Sequence, residues 1–191
     1  MMRWILLVLA LALGACDSKP QFTSTDISGA DYAKDFALTD HTGTPRTMAD
    51  FRGKAVVMFF GYTQCPDVCP TTLNGMAEVM KLLGEESKKV QVLFVTVDPE
   101  RDTPQLLAQY VPSFHPSFIG LYADAQTIAR TAQDFRVFYQ KQPGNSPGTY
   151  TVDHTAGSYV FDPQGRLRLY VKHAEKPEVI AADLKQLLAG K

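Results

Sequence analysis

The segment Phe59-Phe60-Gly61-Tyr62-Thr63-Gln64-Cys65-Pro66-Asp67-Val68-Cys69-Pro70 constrains this chain more than any other. It closes Lys54 to Gly61, a nearly continuous apolar run ending in glycine. A short run without polar alternation reads as a strand buried on both faces, as in a parallel sheet. Beyond the cysteines, Leu73, Met76, Val79, Met80 and Leu83 recur at helical spacing. This predicts a helix from Thr71 to Leu83, with Thr71 or Thr72 placed to cap it and Gly84 to end it. Two cysteines thus lie between the carboxyl end of a buried strand and a helix N-terminus. In open α/β sheets that is where ligands and reactive groups gather. A helix N-terminus also favours thiolate over thiol.

The pattern continues along the chain. Gln91 to Asp98 reads as a second buried strand, and Thr103-Pro104 opens a helix through about Val111. Phe118 to Tyr122 reads as strand or extended, and Ala125 to Phe135 as helix. Ser158 to Asp162 and Arg166 to Lys172 read as strands joined by the turn Pro163-Gln164-Gly165. Lys176-Pro177 starts a last amphipathic helix. Such an order predicts one α/β domain, a mixed sheet with helices on both faces. The polar, Gly- and Pro-rich stretch from Lys141 to Asp153 reads as its longest loop.

Residues 1–15 read as an address. Arg3 is the one charge before an apolar run from Trp4 to Leu13, shorter than the roughly 18 residues of a spanning helix. The run suits the hydrophobic region of a secretory signal. Leu13-Gly14-Ala15-Cys16 resembles the lipobox of bacterial lipoproteins. That resemblance implies cleavage before Cys16 and its acylation; an uncleaved anchor is the alternative. Either places the domain outside the cytoplasm at a bacterial cell membrane. Residues 16–30 are expected to be a tether and 31–191 the domain. Lys and Arg number 19 against 20 Asp and Glu, which leaves no basic footprint for nucleic acid.

Three cysteines are too few for a disulfide scaffold. Four residues apart on a helical turn, Cys65 and Cys69 have Cα atoms about 6 Å apart. That lies within the range of a disulfide and also lets both sulfurs reach one ion. The spacing permits a redox pair or a two-thiolate metal site and does not choose between them. With Cys16 acylated, a third ligand must be nitrogen or oxygen. His41 in a turn, His115 after a helix and His173 at a strand end read as ordinary surface or packing residues. His154 ends the long loop, which can carry its imidazole to the cysteines.

Three separated motifs extend this reading. Gly61 to Pro70 resembles the GYTxCPDVCP signature of the Sco/SenC copper proteins. Val97-Asp98-Pro99-Glu100-Arg101-Asp102-Thr103-Pro104 resembles their VDPERDTP segment, and Asp153-His154 before Ser158 to Asp162 their histidine segment. The likeness runs from about Phe36 to the C-terminus. It implies a thioredoxin-like fold and one copper ion, Cu(I) or Cu(II), held by Cys65, Cys69 and His154. It also implies delivery of copper to, or maintenance of, the dinuclear copper site of cytochrome c oxidase. The partners would be the oxidase's copper-bearing subunit and other copper chaperones or thiol reductants. Thiolate and imidazole together suit copper. Its binding needs the Cys65–Cys69 pair reduced, which couples the site to redox state. Asp98 is expected to orient a ligand or touch the partner, or simply to start a helix. The alternative function is thiol–disulfide exchange with a partner protein. Against it, thioredoxins use CxxC, and Tyr150 to Gly157 lacks the proline they set opposite their cysteines.

Overall fold

The computed structural model describes residues 21–144 and 146–191. The expected signal peptide and Cys16 lie outside the described residues. In chain order come β1 (Thr25–Asp26), β2 (Leu38–Asp40), β3 (Pro45–Arg46), β4 (Ala55–Gly61) and α1 (Val68–Leu83). β5 (Val90–Thr96), α2 (Pro104–Phe114), β6 (Ile119–Tyr122) and α3 (Ala125–Asp134) follow. The chain then runs through β7 (Tyr139–Pro143), β8 (Tyr150–His154), β9 (Ser158–Phe161), β10 (Leu167–Val171) and α4 (Pro177–Leu188).

One sheet has the order β1-β10-β9-β4-β5-β6-β2-β3. β4, β5 and β6 are parallel, while β9 joins β4 antiparallel. This is the mixed sheet expected from the sequence, and β4 and β5 are buried along their whole length. The pleat sends alternate side chains to opposite faces. Phe59 meets Phe94 on the face of α1 and α2, where Tyr110 of α2 meets Phe94 edge-on. Phe60 meets Phe135, at the end of α3, on the other face. α4 lies beside α1. Helices therefore cover both faces, and β4 is the central strand that delivers the cysteine segment to its carboxyl end.

Three expectations need correction. The stretch from Lys141 to Asp153 is not a loop: β7 and β8 pair antiparallel, with Tyr139 opposite His154 and Pro143 opposite Tyr150. The ribbon stands off the main sheet and fully buries only Val152, so it lacks the apolar alternation that marks a strand in sequence. Second, α1 starts at Val68, ahead of Thr71. Thr71 lies inside the first turn, where its amide and its hydroxyl both donate to Asp67, at 3.1 and 3.2 Å. Gly84 does end the helix, with a positive φ of 56°. Third, the polar stretch expected as tether up to residue 30 is docked from Thr23. The Thr23 and Ser24 amides donate to buried Asp183 at 3.1 and 2.8 Å, and β1 pairs with β10.

Candidate metal centre

Cys65, Cys69 and His154 converge, their ligand atoms all within 4.8 Å of one another. Among the described residues they form the one such cluster of metal-ligating side chains. An ion about 2.0–2.3 Å from each donor places the donors about 4 Å apart, so the three fit one ion with small adjustments. Both cysteines are free thiols. Two soft sulfurs with one imidazole select copper or zinc over hard cations.

Each donor is placed by a different part of the fold. Cys69 sits in the first turn of α1, fully buried beneath Gly61. A Cβ at residue 61 would lie 2.7 Å from the Cys69 sulfur, so the glycine that ends β4 makes room for a ligand. Cys65 is half-buried on the loop before α1, and the Cys69 amide donates to its sulfur at 3.3 Å. His154 ends β8 and reaches back over the cysteines, its Nε2 3.3 Å from the Cys69 sulfur. Its Nδ1 lies 3.1 Å from the Thr155 carbonyl oxygen. A carbonyl only accepts, so Nδ1 carries the proton and Nε2 presents its lone pair to the sulfurs. Phe59 and Tyr62 hold the ring edge-on at 5.9 and 6.0 Å. A cleft lined by Tyr62, Cys65, Pro66, Thr151, Asp153 and His154 opens the site to solvent.

The two thiols differ sharply. The Cys69 thiol is the largest influence drawing Cys65 down to about 4, against desolvation; the amides of Asp67 and Cys69 add to the pull. Cys69, hydrogen-bonded to that sulfur and buried, is pushed up. Cys65 is therefore the half-buried, cleft-facing thiolate and Cys69 the buried proton donor.

Asp98 does not touch the ligands. It is fully buried, accepts the Tyr150 hydroxyl at 2.8 Å and pairs with Arg101. It therefore acts at one remove, on the strand that carries His154. Asp102, missed from sequence, does the same for the cysteines: it accepts the amide and hydroxyl of Thr63 at 3.0 and 2.6 Å and the Thr96 hydroxyl at 2.7 Å. Burial raises its carboxyl above the ordinary range, opposed by those hydrogen bonds. The signal available in sequence was the run of charges in VDPERD, set after a buried strand at the same sheet end. The remaining histidines stay apart from the sulfurs. His41 accepts the Gly120 amide at 3.0 Å, and the Nδ1 of His115 lies 2.8 Å from the Ser117 hydroxyl. His173 meets Thr72 at 3.4 Å.

The SCO1/SenC family model matches residues 24–189. The chain belongs to the SCO1/SenC family. It is 41% identical over 158 residues to the mitochondrial SCO2 homolog of Bos taurus, covering 82% of this chain and 59% of that one. The chain spans about three fifths of the length of the first curated relatives it matches. Bradyrhizobium japonicum ScoI with copper bound is similar in structure, at 43% identity and a TM-score of 0.74, over 80% of this chain and 97% of that one. A SCO1/SenC family lipoprotein from Bacillus anthracis is similar at 28% identity and a TM-score of 0.68, over 80% and 92%. The thioredoxin-like architecture is thus that of the SCO1/SenC proteins.

Proposed function

We infer that this SCO1/SenC protein binds one copper ion through Cys65, Cys69 and His154 and delivers it to, or maintains it in, the dinuclear copper site of cytochrome c oxidase. The carrying observation is the convergence of two sulfurs and a correctly protonated imidazole at one open cleft. A 43% identical relative is a copper-bound ScoI. Three protein donors leave the ion approachable from the cleft, so a partner's cysteine can take it by ligand exchange. Binding displaces the proton of Cys69, since Cys65 is already a thiolate.

The reading includes a bacterial membrane anchor at acylated Cys16. Family likeness to a lipoprotein supports it. Thr23 and Ser24 share a groove with Lys172 to Glu175, and His173 there meets Thr72, three residues past Cys69 on α1. Before Thr23 the chain runs beside the carboxyl-terminal half of α4, where the Gln21 carbonyl accepts from Gln186 at 3.3 Å and Phe22 lies under Arg168. The seven-residue step from Cys16 to Thr23 spans at most about 25 Å. An anchor at Cys16 therefore keeps the domain close to the bilayer that holds the oxidase.

A second reading, dithiol exchange with a partner, is favoured by the pairing of a cleft-facing thiolate with a buried thiol. Anaerobic titration of residues 21–191 with copper separates the two. The expected result is one equivalent bound to the reduced domain, with thiolate-to-copper charge-transfer bands when Cu(II) is added. A domain that takes up no copper but reduces a partner's disulfide supports exchange instead.

A further inference from the structure

We propose that Arg101 is a positioning residue that fixes the distance between the imidazole and the sulfur pair by bridging the two segments that carry them. Its effect on copper rests on the three-ligand reading above; its effect on the hairpin does not.

Arg101 touches both ligand-bearing segments at once. Its Nη1 donates to Gln64 Oε1 at 3.1 Å, one residue before Cys65, and to the Tyr150 carbonyl at 2.9 Å, four residues before His154. The guanidinium carbon lies 3.5 Å from the centre of the Tyr150 ring, a cation–π contact. Nε pairs with Asp98, which also holds the Tyr150 hydroxyl. Glu100, its neighbour, pairs with Lys141 on β7 at 2.6 Å.

This matters because the ribbon of β7 and β8 is a separate two-stranded sheet. Two strands alone are marginal in water, so the ribbon depends on outside contacts for its orientation. Arg101 supplies them from a buried base, and the planar fork fixes directions that a flexible ammonium does not. Loss of the bridge lets His154 move away while Cys65 and Cys69, set by α1 and β4, remain.

Two variants test this. Arg101→Lys keeps a cation beside buried Asp98 but has no second nitrogen to hold Gln64 and the Tyr150 carbonyl while the first pairs with Asp98. Gln64→Ala removes the far end of the bridge at an exposed position. In the metal-free protein, hydrogen exchange of residues 151–154 is expected to quicken about tenfold in Arg101→Lys and less in Gln64→Ala, with β4 and β5 unchanged. Unchanged exchange in both variants overturns the proposal. In Cu(I) competition with a chelator, Arg101→Lys is expected to weaken binding about tenfold, the scale of an outer-shell metal contact. The same change is expected to do nothing further in a His154→Ala background, as for two residues acting through one contact. An equal loss in that background overturns the proposal. If His154→Ala binds copper as tightly as the parent, the three-ligand reading fails, and the exchange result alone decides whether Arg101 fixes the ribbon.

Discussion

Replacing His154 with alanine is expected to weaken copper binding at least a hundredfold while the domain stays folded. A hundredfold is about 2.7 kcal/mol. The loss is that of a direct ligand, and it should exceed the 10- to 100-fold typical of outer-shell changes. Folding survives because the imidazole is only half-buried and makes few contacts. It meets the Cys69 sulfur and the Thr155 carbonyl and lies edge-on to two rings. The measurement is Cu(I) affinity by chelator competition, with thermal unfolding of the apo-protein as control. Unchanged affinity removes His154 from the site.

Alkylation of Cys65 provides the second large effect. An ordinary thiol near 9 loses about tenfold in thiolate for each pH unit below its pKa. With its pKa drawn down to about 4, Cys65 remains thiolate across the neutral range and protonates only as the pH falls through that value. Its rate with iodoacetamide in reduced, metal-free protein should therefore be flat from pH 8 to about 5 and halve near pH 4. The plateau will be lower than that of a common thiolate, because nucleophilicity falls with pKa. Cys69, buried and protonated, should label far more slowly. Because the Cys69 thiol is the largest influence on Cys65, Cys69→Ala should move the midpoint upward. A midpoint above pH 7 in the parent contradicts this electrostatic picture.

The sheet was legible because burial writes itself into composition. β4 and β5 are apolar at nearly every position since both their faces are covered. The cysteines were legible from placement alone, at a strand's carboxyl end before a helix. His154 was singled out by its position at the end of a segment expected to be a flexible loop; the position was right, but the segment is a paired ribbon held in place. A ribbon that buries one side chain of its second strand carries little hydrophobic pattern. Arg101, Asp102 and Tyr150 were missed because their work is done by pairing across 37 to 52 positions of sequence. No local spacing encodes such pairs. The short strands β1 to β3, two or three residues each, fall below what periodicity resolves.

X-ray absorption at the copper edge, on the reduced domain loaded with one equivalent of Cu(I), tests the central claim most directly. The expected first shell is two sulfurs at about 2.3 Å and one imidazole nitrogen at about 2.0 Å, as for thiolate and imidazole ligands of similar ions, with the nitrogen lost in His154→Ala. A shell of sulfur alone in the parent, or one unchanged by that substitution, contradicts it.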